Sequence, residues 1–578
     1  MGDTGGIRPN DARVRTDARG RVADEMLVEH GHRFERRLHQ VTDDVWCLVG
    51  NGLSNQTFVR GPGGIVAIDT GESVEEMRAA LAELRRVAAD PVVAVIYTHF
   101  HYVGGTTAIT ETEPVGAIHG HARIAQNLDR STTEIGPAYS RGIVEQFGVR
   151  LPLDGPDGNA GVGLGLLFHN PEHAPFTPGH VPVTHPFDTD CLIEVAGLEV
   201  HVHPAPSDAD DSVTLWFPTL RVAVHNLVWP TLFNVFAIRG EEYRDPRVLV
   251  AGVDHLRSLG AEHLVAAHGP PMSGAEDIAR RTMAYRDSVQ YLWDQTVRWT
   301  NRGATGAELA HLVRLPDSFG DDWITQQHYG LVEHHVRQIR SGLFGFFDGD
   351  PANLLPLERD DHARRTIEAM GGTESVRRRC REVLAAGDEG DLRWALHLAA
   401  QLTARTDADE LDRRLLADAL RTVARRTTSA NVRNWCLTRA LAIEGRIDMG
   451  RHHTHAIGRR QAAAWGLDRT VAALRVMVDP DRLGTADVHV AFDIAGERVG
   501  IHFRNHIACP TDGVDADVTV AAERATWNDV IGGVTTLAER VRDGAARIDD
   551  PHGVGTERLL RVLSSLDHAG FALAAHGR

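Results

Sequence analysis

Between Val45 and His101 the apolar positions fall in short β-branched runs broken by glycine, with a single helical stretch among them. Val45 to Val49, Thr57 to Val59 and Gly64-Ile-Val-Ala-Ile-Asp69 have the texture of strands. Ser73, followed by Glu75 and Glu76, opens an amphipathic helix to about Ala88, because a Ser cap and an acidic first turn suit a helix N-terminus. Val92 to Tyr97 is the next buried strand, and His99 and His101 stand where it should end. A strand, a helix and a strand with polar residues at its C-terminal end is the α/β arrangement whose sites lie just beyond the sheet edge. Residues two apart on extended chain project from one face, so both imidazoles can hold one ion while Phe100 points away. Gly104 and Gly105 then let backbone pass close to a bound group. Residues 1–40 are polar, rich in Arg and Asp and weakly helical, and are expected to form an arm.

Donor residues recur at later strand ends. Leu198 to Val202 runs into His203 and, after Pro206 and Ser207, Asp208; Leu220 to Val224 ends at His225; Glu262 to Ala267 ends at His268. A His-x-His pair needs a carboxylate or a third imidazole to hold a hydrolytic ion, and these ends supply candidates. Val115 to Ile118 leads to two more histidines, His119 and His121.

From 276 to 446 the period changes to that of helices, with expected segments Ile278 to Thr300, Gly306 to Leu312, Gln326 to Ser341 and Ala363 to Met370, and more through Leu441. Phe344, Phe346 and Phe347 cluster beside a Gly-rich turn, which suits an interface. Beyond 447 come Asp487 to Ile494, Arg498 to Arg504 and Ala516 to Ala521, strands of a compact α+β domain with helices to the end.

Composition narrows the function. A net charge of -18 disfavours nucleic acid and anionic membrane as partners. All 61 basic residues are Arg, which removes Lys Schiff bases and Lys nucleophiles. No apolar run of ~18 residues and no basic-then-apolar leader is present, so a cytoplasmic protein is expected. Cys47, Cys191, Cys380, Cys436 and Cys509 lack Cys-x-x-Cys spacing and read as reduced thiols.

Gly64-Ile-Val-Ala-Ile-Asp69-Thr-Gly71 followed by Thr98-His99-Phe-His101 resembles the metallo-β-lactamase fold. Glu145-Gln-Phe-Gly148, Gly161-Val-Gly-Leu-Gly165, Tyr329-Gly330, His334-His335, Gly345-Phe-Phe-Asp348-Gly-Asp-Pro-Ala352, Met370-Gly-Gly372 and Asn434-Trp435 narrow the resemblance to its alkylsulfatase branch, the type III sulfatases. The resemblance implies an α/β, metallo-β-lactamase-like αββα sandwich over 41–275. It further implies an all-helical dimerisation domain over 276–446, hence a homodimer, and a sterol-carrier-like α+β domain over 447–578 that lines the alkyl chain.

For the site, the resemblance implies Asp208 in place of a glutamate ligand, His225 as a substitute for a second one, and His268 as the last ligand. The expected metal set is therefore His99, His101, Asp208, His225 and His268, with Asp208 and Tyr102 as catalytic candidates. Arg239, in Ala-Ile-Arg-Gly, falls on the arginine that holds sulfate oxygens, and a guanidinium fork suits that geometry. His334 falls on a family histidine, and Arg340 stands where the family has Tyr. The family run His-x-His-x-Asp-His-x-Gly-Gly is here His99-Phe-His101-Tyr102-Val103-Gly104-Gly105, without the Asp and third His that build a second zinc site. One tightly held Zn2+ and feeble turnover of simple alkyl sulfates are expected, with His119, His121 and His203 as candidates to refill the gap. The substrate expected is a small anionic or amphiphilic ester. A second reading is a non-haem Fe2+ oxygenase, since two His and one carboxylate typify that centre.

Overall fold

In the computed structural model, residues 2–132, 135–450, 457–553 and 555–564 are described. The described residues divide into two compact units, one from 2–128 and 142–447, the other from those within 129–141 and 448–564. The last part of the expected C-terminal helices, 565–578, lies outside the described residues.

The first unit is built on two sheets. Seven strands run in the order Arg37–Thr42, Val45–Val49, Gln56–Gly61, Gly64–Ile68, Val92–Ile96, Ala117–His121 and His185–Phe187. Six more follow in chain order from Cys191–Val195 to Met272–Ser273. Alternation along the strands makes the layers: Val45, Cys47, Val49, Val66 and Ile96 pack with Val200, Val202, Leu215, Val224 and Val265 of the second sheet. Trp46, Leu48, Phe58, Ile65 and Ala67 turn outward to Met77, Ala80 and Leu84 of the helix Val74–Leu84. That helix begins as expected, with Ser73 accepting from Glu76 N. On the far side, Leu249, Val253 and Leu256 of Pro246–Ser258 join Ile278, Tyr285 and Leu292 of Ala275–Thr300. This is the αββα sandwich, and its outer core continues across residue 275 into the helical region, reaching Val336 and Ile339.

Several boundaries differ from the sequence expectation for physical reasons. Residues 1–40 hold a two-stranded ribbon, Val14–Thr16 with Val22–Asp24, and a helix, Glu25–Gly31. Asp24 caps that helix by accepting from Met26 N, and Leu27 and Phe34 are buried, so this stretch is built into the unit. The helix expected from Gln326 starts at Val332, whose N–H donates to Gln327 Oε1 at 2.7 Å. Among the described residues no helix is long and apolar enough to cross a membrane.

The second unit is α+β. Its sheet has the order Ile507–Thr511, Glu497–Arg504, Val488–Ile494, Val518–Ala522, Ala546–Asp549. The two outermost strands escaped the sequence reading because edge strands carry polar residues and proline, here Pro510, Arg547 and Asp549.

Candidate metal centre

The chain leaves Val92–Ile96 with His99 still extended, at φ −171° and ψ 178°, but Phe100–Tyr102 is a 3-10 turn, not extended strand. The two imidazoles nevertheless converge, with ring centroids 5.0 Å apart at 89°. The turn, more than strand alternation, brings them together. The loop after Leu198–Pro204 delivers Asp208, and its main chain is pinned where Arg244 Nε donates to Asp208 O at 3.2 Å. Asp208 Oδ1 lies 3.6 Å from His99 Nε2, and Oδ2 lies 3.1 Å from His101 Nδ1. His99, His101 and Asp208 offer donor atoms that all lie within 4.8 Å of one another, and among the described residues they are the group of three able to hold an ion.

Hydrogen bonds fix the tautomer of His99. Thr98 Oγ1 donates to Asp69 Oδ2 at 2.6 Å, so its oxygen is left to accept from His99 Nδ1 at 2.8 Å. Nε2 therefore carries the lone pair, and it is the nitrogen facing Asp208. Asp69 is itself reached by Thr98 N at 2.8 Å, yet burial lifts its carboxyl to about 7. Burial takes His99 down to about 3, keeping it neutral as a ligand must be. Burial would lower His101 too, but Asp208 and Glu241 outweigh it and lift that ring to about 9. Burial would raise Asp208, and His99, His101 and Arg244 override it, holding the carboxylate well below its usual range. Two neutralisable imidazoles and an ionised carboxylate, buried and preassembled, fit a divalent ion.

The other sequence candidates are placed as follows. His225 ends its strand with Nδ1 accepting from Leu227 N at 3.2 Å, and it lies outside the group of three. Parity explains this: Val222 and Val224 face the intersheet core while Ala223 packs in the outer one, and a shift of one residue changes face. Asn226, of the same parity as Val224, takes the place, donating from Nδ2 to Asp208 Oδ1 at 2.5 Å while Oδ1 accepts from Trp229 Nε1 at 3.1 Å. His268 approaches the site, but Nδ1 meets Leu53 O at 3.2 Å, so that nitrogen is the donor and Nε2 accepts from Tyr102 Oη at 3.2 Å. Burial takes His268 to about 4 and Tyr102 well above the usual phenol range.

Arg239 is buried, donates from Nη2 to Glu241 Oε1 at 2.9 Å, and lies 5.8 Å over the Phe147 ring. Arg340 Nη1 and Nη2 donate to Phe347 O and Asp348 O, at 3.0 and 2.6 Å, so its fork clamps that loop. His334 is partly buried, with its ring 6.2 Å from Phe236. His119 packs on His185, His121 Nδ1 accepts from Arg123 N, and His203 stacks on His255 and pairs with Asp190. None of these three belongs to the metal cluster.

Three residues of the site were not read from the sequence: Asn226, Glu241 and Arg244. Asn226 had a signal in strand parity. Arg244 is buried, donates from Nη1 to Asn234 O at 2.8 Å, and leaves Nη2 without a hydrogen-bond partner. Its position just before the helix-capping Asp245-Pro246 hid it, since an Arg there usually faces solvent.

Residues 49–224 match the metallo-beta-lactamase superfamily model, and residues 305–446 match the alkyl sulfatase dimerisation model. A linear primary-alkylsulfatase of Pseudomonas sp. (strain ATCC 19151) is 32% identical over 518 residues, covering 85% of this chain and 95% of that protein. The chain belongs to the alkylsulfatase family. An (R)-specific secondary-alkylsulfatase of Pseudomonas sp. is 26% identical over 89% of this chain and 78% of its own. The solved stereoselective inverting sec-alkylsulfatase Pisa1 from Pseudomonas sp. superposes with a TM-score of 0.82 at 23% identity, over 98% of this chain and 92% of that one, so this alkylsulfatase shares its fold.

Proposed function

We propose that this alkylsulfatase-family chain hydrolyses a sulfate monoester of an alkyl chain with one divalent ion, Zn2+, held by His99, His101 and Asp208. The observation that carries the reading is the buried closure of these three donors within 4.8 Å, flanked by the buried cations Arg239 and Arg244. When bound, the ion supplies Lewis acidity to the site. The chain's own groups do the rest. Arg244 presents a buried Nη2 with no hydrogen-bond partner, and an anionic oxygen satisfies it. Arg239 adds a second guanidinium, and Trp229 and Phe233, stacked near Arg244, keep water out. Tyr102, held protonated by burial, gives its one O–H to His268 Nε2 and so does not act as a base.

The relatives support hydrolysis; the iron-oxygenase reading draws no support from them. The run from His99 to Gly105 is two residues shorter than the family's and lacks both its Asp and its third His, and His268 spends its lone pair on Tyr102, which supports one ion per chain. Leu343, Phe344, Phe346, Leu354, Leu355 and Leu357 are exposed, Phe346 at 85% and Leu355 at 84%, within the stretch matching the dimerisation model, and we take that face as a homodimer interface. Phe347, also expected there, is partly buried. The five unpaired cysteines, three of them buried, suit a cytoplasmic address. Elemental analysis of protein purified without added metal, beside sulfate release from medium-chain alkyl sulfates, tests the reading: one equivalent of zinc and slow release are expected. Protein that holds no zinc and releases no sulfate overturns it.

A further inference from the structure

Glu241 touches both working faces of the site. Its Oε1 lies 3.4 Å from His101 Nε2 and 2.9 Å from Arg239 Nη2, and its side chain is 6% exposed. The opposite edge of the same imidazole, Nδ1, faces Asp208 at 3.1 Å. His99 Nε2 is directed at that same Asp208 carboxylate, so the three donors meet on the Nδ1 edge of His101. A ligating histidine binds through one nitrogen, and the hydrogen bond made by the other decides which one it is.

We propose that Glu241 is a positioning residue that keeps the proton of His101 on Nε2, leaves Nδ1 to the ion, and with the same oxygen holds the Arg239 guanidinium for the sulfate. The inference rests on the zinc-dependent sulfatase reading above. One carboxylate then sets the ion-binding and anion-binding groups relative to each other. It also offsets part of the charge of Arg239, so a sulfate has to compete with Oε1 for that guanidinium. Sequence gives little warning of this, because Arg239-Gly-Glu241-Glu242 reads as a charged turn; Gly240, at φ +94°, folds it back so that Glu241 reaches His101.

The test compares wild type, Glu241→Gln and Glu241→Asp. Zinc affinity is measured by chelator competition, and steady-state kinetics use a medium-chain alkyl sulfate with inorganic sulfate as inhibitor. Glu241→Gln keeps the shape but not the charge, and zinc affinity should fall about 10- to 100-fold, as for other outer carboxylates of metal-bound histidines. With Arg239 relieved of its partner, kcat should fall while KM and the sulfate inhibition constant also fall. Glu241→Asp, which keeps the charge, should recover part of the zinc affinity, and a general packing defect would not produce that split. If wild type holds zinc and Glu241→Gln holds it within twofold, or if KM rises as kcat falls, the inference is overturned and the sulfatase reading stands. Wild type that holds no zinc overturns both.

Discussion

The two halves of the site are built on opposite electrostatic plans. Around His101 every polar group has a charged neighbour: Asp208 on one edge, Glu241 on the other, then Arg239 and Arg244 behind the carboxylates. Acids here are held ionised, with Asp208 and Glu241 both pulled below the usual range against the burial that would raise them. Tyr102 and His268 are themselves neutral, and the Glu72–Glu76 pair, whose Glu72 neighbours Tyr102, behaves in the opposite way. Burial raises Glu72 and Glu76; Glu76 reaches about 7, and the two lie close enough to repel, with Glu76 Oε2 accepting from Glu72 N at 3.2 Å. A carboxylate stays charged in a protein interior only where cations or donors compensate it. One half is therefore prepared for an ion and an anion, and the other is prepared to stay neutral.

The largest expected effect comes from breaking the charged half. Asp208→Ala removes the donor shared by both histidines, and metal surviving dialysis should drop from about one equivalent to nearly none, with turnover down by more than ~100-fold. Elemental analysis and initial rates check it; metal retained by this variant would mean that the ion sits elsewhere. His225→Gln is the matching control, with metal content unchanged, because His225 faces away from the cluster.

Arg239→Ala should weaken binding of inorganic sulfate by about 1.5–3 kcal/mol, the range for hydrogen bonds to charged groups, without changing metal content. Inhibition constants measure it, and an unchanged constant would shift the anion to Arg244 alone.

The neutral half is probed by pH. Glu76 titrates near 7 in the fold and near 4.5 unfolded, so the native state holds a proton that the unfolded chain releases between those values. Its stabilising contribution is full below about pH 4.5 and is lost as pH rises through 7. Glu72→Gln removes the repelling charge, and stability at pH 8 should rise by on the order of 1–2 kcal/mol relative to wild type, with little change at pH 4. Denaturant unfolding at the two pH values checks it; equal slopes would show that the two carboxyls do not interact. Arg340→Ala should be the smallest effect, under ~0.5 kcal/mol on sulfate binding, because its fork is already occupied by loop carbonyls. A loss as large as that of Arg239→Ala would bring Arg340 into the anion pocket.

Periodicity alone carried much of the architecture. Strands such as Val45–Val49 and Val92–Ile96 and the Ser73-capped helix are fixed by short apolar, β-branched runs and by capping, and these act over a few residues. The Thr98-His99-Phe-His101 run at a strand end pointed to the candidate centre, although a 3-10 turn and not strand alternation brings its two rings together. Which distant donors would join it depended on tertiary structure. Asp208 arrives from 107 positions along the chain, and Asn226 displaces its neighbour His225 by strand parity. Glu241 and Arg244 acquire their partners only when a glycine turn and the capped start of a helix fold a surface-like charged run into the interior. Charged side chains carry no periodic signature of burial, because what makes a buried charge tolerable is a partner far away in sequence, and only the folded chain supplies it.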